Sequence, residues 1–406
     1  MSGIAGIVNW DGSPVDQRLL QRMTEALSPR GPDAQRDWFD GSVGLGHAWL
    51  RTTCDSAPDH QPHSLDGRVW ITADARIDDR TDLVHKLRDH GCIDLDAEGD
   101  AGLILHAYRV WGEDCLRHLI GDFVFAIWDG PRQRIFCARD HFGVKPLFYA
   151  QGANCLIFSN SLDCVRLHPA VSSGFNEHAI GDFLLFGTIQ DPSATCFADV
   201  HRLPAAHRLG GSGRLRPRRY WTLLINDNIR YQRAQDYVVH FRDLLGRAVA
   251  DRLRCNRAGV LMSGGLDSTS VAATAKQWLS GQGPGFDLRA YTTVCERVLS
   301  DPEGRYARSA AEALAIPIHY RIVDRYGVYE HWETPALRRP EPESDPLLAV
   351  QVDELQDAAV NGRVVLTGYG ADPALRVPIR YAVELLTGGS VLRLAREVGQ
   401  YIRACH

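Results

Sequence analysis

The sequence predicts two domains in tandem, an α+β unit followed by an α/β unit built on a parallel sheet. Three observations carry this. The chain has 406 residues, more than one hydrophobic core ordinarily organises. Its first half is a succession of short apolar runs separated by turn residues, with few helical stretches, the pattern of an α+β or layered sandwich domain. Its second half alternates strand-like runs with helical periods, which implies parallel strands with helices on both faces.

Taken in order, Gly3-Ile4-Ala5-Gly6-Ile7-Val8 is an apolar strand and Asn9-Trp10-Asp11-Gly12 turns the chain. Residues 16–27 and 102–111 have helical spacing, while 43–47, 69–73 and 123–128 read as strands. In the second half Tyr237, Phe241, Leu244, Leu245 and Val249 share one helical face. Strands are expected at 259–262, 289–294, 318–323 and 363–366, with a helix at 305–315 and two amphipathic helices at 377–386 and 391–402.

The stretch Gly259-Val260-Leu261-Met262-Ser263-Gly264-Gly265-Leu266-Asp267-Ser268 joins the first of these strands to a helix through a Ser-Gly-Gly turn. Unpaired N–H groups and the positive end of the helix dipole then point at one spot, which makes an anion site. Glycines let the backbone approach the ligand, and Ser263 and Ser268 add hydroxyls. Asp267 would repel a phosphate directly, so its place there implies Mg²⁺ between them. No Gly-Lys-Ser/Thr follows, which excludes a Walker loop. Ligands of such sheets sit beyond the carboxyl ends of the strands. Thr367-Gly368-Tyr369-Gly370-Ala371-Asp372 lies at another such end, where Asp372 either offers the ion a second carboxylate or caps a helix.

Composition narrows the setting. A hydrophobic fraction of 45% with 23% charged residues is that of a globular protein, and a net charge of −5 gives no sign of nucleic-acid or membrane partners. The one basic run, Arg214-Leu215-Arg216-Pro217-Arg218-Arg219, reads as a solvated edge or linker. No apolar stretch is long enough to span a bilayer, and the start lacks a signal-peptide pattern, so a cytoplasmic location is expected. The ten cysteines form no Cys-x-x-Cys pair and read as scattered reduced thiols.

Several strings resemble one family. Arg30-Gly31-Pro32-Asp33, Gly121-Asp122-Phe123-Val124-Phe125-Ala126-Ile127-Trp128-Asp129 and Arg139-Asp140-His141-Phe142-Gly143-Val144-Lys145-Pro146-Leu147 resemble the glutaminase domain of asparagine synthetases. The Ser-Gly-Gly loop resembles the pyrophosphate-binding loop (PP-loop) of ATP pyrophosphatases. Residues 161–219 are similar to the segment that leads into the synthetase domain. The resemblance implies an N-terminal-nucleophile (Ntn) hydrolase-like αββα sandwich over 1–215, a linker over 216–235 and an ATP-binding α/β domain over 236–406.

The glutaminase pocket departs from the family pattern. Ser2 stands where glutamine-using members have cysteine; a serine at a free N-terminus can also act as nucleophile. Asp74-Ala75-Arg76 replaces Asn-Gly-Glu, and Trp49 replaces the arginine for the glutamine α-carboxylate, with Arg51 two residues on. Asp100 matches the acid for the α-amine. A degenerate site comprising Ser2, Trp49, Asp74, Arg76 and Asp100 is therefore expected, with the domain kept as a scaffold or docking surface.

For the second half the resemblance implies ATP contacts at Leu261, Ser263, Gly264, Gly265, Asp267, Ser268, Val294 and Gly368, with Mg²⁺ on Asp267 and Asp372. Tyr369 occupies a position that is glutamate in asparagine synthetases and tyrosine in β-lactam synthetase and lasso-peptide cyclases, where it is linked to deprotonating a substrate nitrogen; otherwise it lines the pocket. Phe186-Gly187-Thr188-Ile189-Gln190-Asp191-Pro192 also looks like the lasso cyclases. Glu303 is carried over as a catalytic acid, with Asp301 displaced by one position; Glu384 and Glu397 are candidate partners of Tyr369. The implied reaction is ATP-dependent amide formation through an acyl-adenylate. Its substrate would be a precursor peptide or a small amino acid, with a companion protease or leader-binding protein as further partner. A glutamine- or ammonia-dependent asparagine synthase and a nucleotide-binding protein without turnover are the alternatives. Relatives carry a long helical segment with a lysine after the Gly-Tyr-Gly loop, whereas 373–406 hold none and Lys276 is the last. The expectation is a short carboxyl-terminal domain with an open apolar face, weak ATP binding and poor turnover unless Arg376 or Arg380 substitutes.

Overall fold

Two six-stranded antiparallel sheets lie face to face in the amino-terminal half of the computed structural model, which describes residues 1–53, 60–224, 229–283, 285–297, 302–335, 337–375, 383 and 385–404. The first sheet runs, in spatial order, His201–Arg202, Phe148–Gln151, Cys155–Ser159, Gly3–Asn9, Val43–Trp49, Ala34–Asp40. The second runs Arg218–Arg219, His207–Gly211, Arg134–Arg139, Ile120–Asp129, Val69–Asp78, His63–Ser64. Side chains alternate between faces along each strand. Ile4, Val8 and Leu45 of the first sheet therefore meet Val124, Ala126 and Ile135 of the second in one buried layer. Ala5 and Ile7 point the other way, onto Leu20 and Met23 of the helix Gln17–Glu25. Ala73, Ile77, Phe125 and Ile127 likewise face Leu83 and Leu87 of Arg80–Asp89 and Leu103 and Ala107 of Asp100–Trp111. This is the αββα sandwich implied by the sequence.

The boundary expected at 215 moves. Arg218 and Arg219 pair with Arg208 and His207 as an edge strand. Tyr220 packs on the helix-side core and donates its hydroxyl to the Arg139 carbonyl at 2.8 Å. The first residues of the expected linker thus belong to the amino-terminal unit.

The carboxyl-terminal half carries a four-stranded parallel sheet in the order Ile318–Ile322, Asp287–Val294, Arg257–Leu261, Val364–Leu366. Ala258 and Val260 pack with Val249 of the helix Ala234–Arg252, Ala272 of Leu266–Ser280 and Ala307 of Glu303–Leu314. Gly259 faces the opposite side, where a methyl group would touch Tyr291 and Ala358 of Leu348–Asn361. The helix expected at 305–315 begins two residues earlier, because the fixed φ of Pro302 starts it and the Pro302 carbonyl accepts from Tyr306 N–H at 3.1 Å. The chain leaves Arg257–Leu261 for strands on one side and returns with Val364–Leu366 on the other, so the topological switch point lies between Arg257–Leu261 and Val364–Leu366.

Residues 391–404 form the helix Val391–Ala404, while most of 377–386 lies outside the described residues. All described cysteines are free thiols. No described helix is long and apolar enough to cross a membrane.

Candidate functional site

The strand Arg257–Leu261 stops where Met262 N–H donates to the Tyr291 carbonyl at 2.8 Å, and the chain then folds over Gly264. Gly264 has φ of +81°, and a Cβ there would lie 2.3 Å from the Ala307 nitrogen, so this position admits only glycine. That contact seats the loop on the helix Glu303–Leu314. Gly265 then opens the helix Leu266–Ser280 with no side-chain hydrogen bond at its N-cap. The first N–H groups of a 15-residue helix are left for a ligand at the positive end of its dipole. Ser263 Oγ accepts from Gly265 N–H at 3.3 Å and lies 3.3 Å from Ser268 Oγ, holding both hydroxyls beside the turn.

The second loop closes on the first. A Cβ on Gly368 would lie 3.0 Å from the Ser268 nitrogen, which places the Gly-Tyr-Gly turn against the start of Leu266–Ser280. Gly370, at φ of +88°, turns the chain into the helix Ala371–Leu375, with Asp372 in its first turn. Val294, at the end of the neighbouring strand, contacts Gly304, one residue past Glu303. The carboxyl edge of the sheet thus gathers Leu261, Ser263, Gly264, Gly265, Asp267, Ser268, Val294 and Gly368. Tyr369 and Asp372 follow on the second loop, and Glu303 opens an adjoining helix. Tyr369 is 81% exposed and Leu266 is 87% exposed, so the rim stands open to solvent. Asp301, Arg376, Arg380 and Glu384 lie outside the described residues, as does the side chain of Glu397.

These residues suit a magnesium–nucleotide complex. The glycine cradle and uncapped N–H groups fit phosphate oxygens, and Asp267 and Asp372, each in the first turn of a helix, would be the hard oxygen ligands of an ion. Among the described residues no group of three or more His, Cys, Asp or Glu side chains converges on a metal position. An ion here would complete its shell with phosphate and water, as Mg²⁺ commonly does.

A cavity of about 480 Å³ lies at the junction of the two domains and is lined by Ser2, Trp49, Asp74, Asp100, Arg254 and Arg363, among others. The Leu50 N–H donates to Ser2 Oγ at 3.1 Å. Asp74 Oδ1 accepts from Ser2 N–H at 3.2 Å and from Lys145 Nζ at 3.1 Å. A carboxylate beside Ser2 would repel the negative oxygen that develops on an attacked amide, where a neutral amide side chain would stabilise it. Arg76 is tied to Asp122 and, at 3.1 Å, to Asp78. Asp100 is held by two arginines. Arg80 donates to its Oδ1 at 2.8 Å, and Arg254 donates to Oδ1 at 3.1 Å and Oδ2 at 2.5 Å. Two guanidiniums occupy the carboxylate that matches the family's anchor for an α-ammonium.

Sequence reasoning missed Arg80, Arg254 and Arg363. No local spacing links residues 80 and 254 to 100, or 363 to 33: the fold of the amino-terminal unit brings Arg80 to Asp100, and the packing of the two domains makes the other two pairs. Lys145 sat inside a recognised string, yet nothing in that string shows its reach to Asp74.

Residues 1–221 match the family described as "Glutamine amidotransferase domain", and residues 240–375 match the one described as "Asparagine synthase". Asparagine synthetase [glutamine-hydrolyzing] 3 of Bacillus subtilis is 27% identical over 84% of this chain and 57% of its own. A putative asparagine synthetase [glutamine-hydrolyzing] of Mycobacterium tuberculosis is 29% identical over 87% of this chain and 56% of its own. Amidase chry2 of Gibberella zeae is 26% identical over 90% of this chain and 56% of its own. The chain therefore spans little more than half the length of these relatives. Joining a glutamine amidotransferase sandwich to a parallel-sheet domain with two glycine loops at its switch point, in that order, the chain belongs to the asparagine synthetase family.

Proposed function

We propose that this chain is an ATP-dependent, AMP-forming amide ligase that takes its amine from an acceptor substrate rather than from glutamine. The observation that carries the first part is the uncapped start of Leu266–Ser280, wedged between Gly264 and Gly368 at the switch point. A substrate carboxylate oxygen would attack the α-phosphorus of ATP, the bond to the bridging oxygen would break, and pyrophosphate would leave. The acceptor nitrogen would then attack the acyl carbon, losing its proton, and AMP would depart. The chain supplies N–H groups where charge builds on the phosphates, and the two loops hold the nucleotide while the acyl donor enters. Mg²⁺, held by Asp267 and Asp372, would supply charge neutralisation. Tyr369, exposed at the open rim, would meet an acceptor there and help remove the proton from its nitrogen. Glu303 is the second candidate acid.

The doubly occupied Asp100 supports independence from glutamine. The favoured substrate is a precursor peptide whose Asp or Glu side chain is joined to its own N-terminal amine. This rests on Tyr369 and the 186–192 string, the two features that resemble lasso-peptide cyclases. The test is mass spectrometry of synthetic peptides with a free amino terminus and an internal Asp or Glu, incubated with ATP and Mg²⁺. Loss of one water together with AMP formation supports the reading; AMP formation only with free aspartate and ammonia would replace it. A glutamine-dependent asparagine synthase is a second reading, favoured by the glutamine-hydrolyzing relatives. It requires glutamate release that disappears in Ser2→Ala.

A further inference from the structure

We infer that the amino-terminal domain sets the geometry of the nucleotide loops by gripping the opposite ends of the two strands that carry them, through Arg254–Asp100 and Arg363–Asp33. The inference rests on the nucleotide reading of those loops. Arg254 stands three residues before the strand Arg257–Leu261, and Arg363 immediately precedes Val364–Leu366. These strands are direct neighbours, with Ala258 opposite Val364 and Val260 opposite Leu366. At their far ends the chain enters the Ser-Gly-Gly turn and the Gly-Tyr-Gly turn, whose residues Ser268 and Gly368 touch. A five-residue strand is about 16 Å long and stiff, so a shift at its start is passed to its end.

Both grips are two-pronged. Arg254 reaches Asp100 with two nitrogens, at 2.5 and 3.1 Å. Arg363 reaches Asp33 with two nitrogens, one of them at 2.9 Å, and also donates to the Arg51 carbonyl at 3.2 Å. A planar guanidinium facing a carboxylate fixes orientation as well as distance, which a single point charge does not. The Arg254–Asp100 pair is the better shielded, with side chains 20% and 10% exposed, against 48% and 23% for Arg363 and Asp33. The preceding helix Ala234–Arg252 is tied down in the same way. Arg252 donates to Asp78 at 2.8 Å, and Asp79 N–H donates to Asp251 at 3.1 Å. The carboxylate that matches a ligand anchor has thus become a fixed joint between the domains. Arg254 and Arg363 are positioning residues, since neither lies on the loops themselves.

The experiment uses the whole chain as Arg254→Ala, Arg363→Ala and the conservative Arg254→Lys. Two readouts are taken: MgATP affinity by calorimetry, and amide hydrogen exchange of segments 262–268 and 367–372 without nucleotide. In Arg254→Ala the two loop segments should exchange faster while the strands of the amino-terminal sandwich keep their protection, and MgATP affinity should fall about tenfold. Arg254→Lys, which keeps the charge but not the two-pronged geometry, should recover only part of both. Loop exchange unchanged in both alanine variants overturns the inference. So does faster exchange spread evenly over the carboxyl-terminal domain, since that is general destabilisation. Should the wild type bind no MgATP, the nucleotide reading fails, and loop exchange alone still decides whether the grip exists.

Discussion

Gly368 rests against the backbone of Ser268: a methyl group on it would come within 3.0 Å of the Ser268 nitrogen. Two loops a hundred residues apart in sequence therefore meet without room for a side chain. Gly264 is tighter still, with a methyl 2.3 Å from the Ala307 nitrogen and a backbone of φ +81°. Gly368→Ala requires a shift of a few tenths of an ångström and should weaken MgATP binding while leaving the melting temperature near wild type. Gly264→Ala carries both strain and collision, each costing about 1–3 kcal/mol, and should lower the melting temperature and abolish MgATP binding. Thermal melts and calorimetry on the two variants check the order.

His47 gives a pH prediction. Its ring is almost wholly buried on the strand Val43–Trp49, and burial pushes its pKa from 6.5 down to about 4. The unfolded chain takes up the proton first as pH falls. The stabilisation from a neutral His47 is thus complete above about pH 6.5 and is lost as pH drops through about 4. At full shift this is on the order of 3 kcal/mol. Urea midpoints measured across that window should fall in the wild type and fall less in His47→Gln.

Tyr369 is tested by separating the two half-reactions. If its phenol helps deprotonate the acceptor nitrogen, Tyr369→Phe should form the adenylate and release pyrophosphate but make amide about 10²–10⁴ times more slowly. Amide formation at the wild-type rate would leave it as part of the pocket wall.

Glutamine should not be turned over. Its α-ammonium would have to displace Arg80 and Arg254 from Asp100, and Asp74 would oppose the developing oxyanion beside Ser2. We expect no glutamate release at millimolar glutamine, measured by a coupled glutamate assay. Enzyme-like release that vanishes in Ser2→Ala would overturn this.

The strand–turn–helix geometry of the Ser-Gly-Gly loop was legible in sequence because it is local: a strand, the turn and a helix opening at Leu266 lie within ten residues. The two layers of the sandwich were legible for a similar reason, since runs such as Gly3–Val8 and Phe123–Trp128 are apolar on both faces and imply cover on each. Their order in space was not, because Gly3–Asn9 pairs with Cys155–Ser159, far along the chain. The reuse of Asp100 was equally hidden. Its identity suggests a retained ligand anchor, and only the approach of Arg254 from the other domain shows that it is filled. The linker boundary slipped because Arg218 and Arg219 look like solvated charge, yet their backbones pair with a strand edge.

In the proposed reaction the Ser263–Ser268 loop binds a nucleotide through its backbone and through a metal held by Asp267. Calorimetric titration of MgATP into the wild type and Asp267→Ala, with circular dichroism to confirm that the variant is folded, tests it most directly. The wild type should bind in a magnesium-dependent manner and the folded variant should not bind. Equal affinity in both proteins would contradict it.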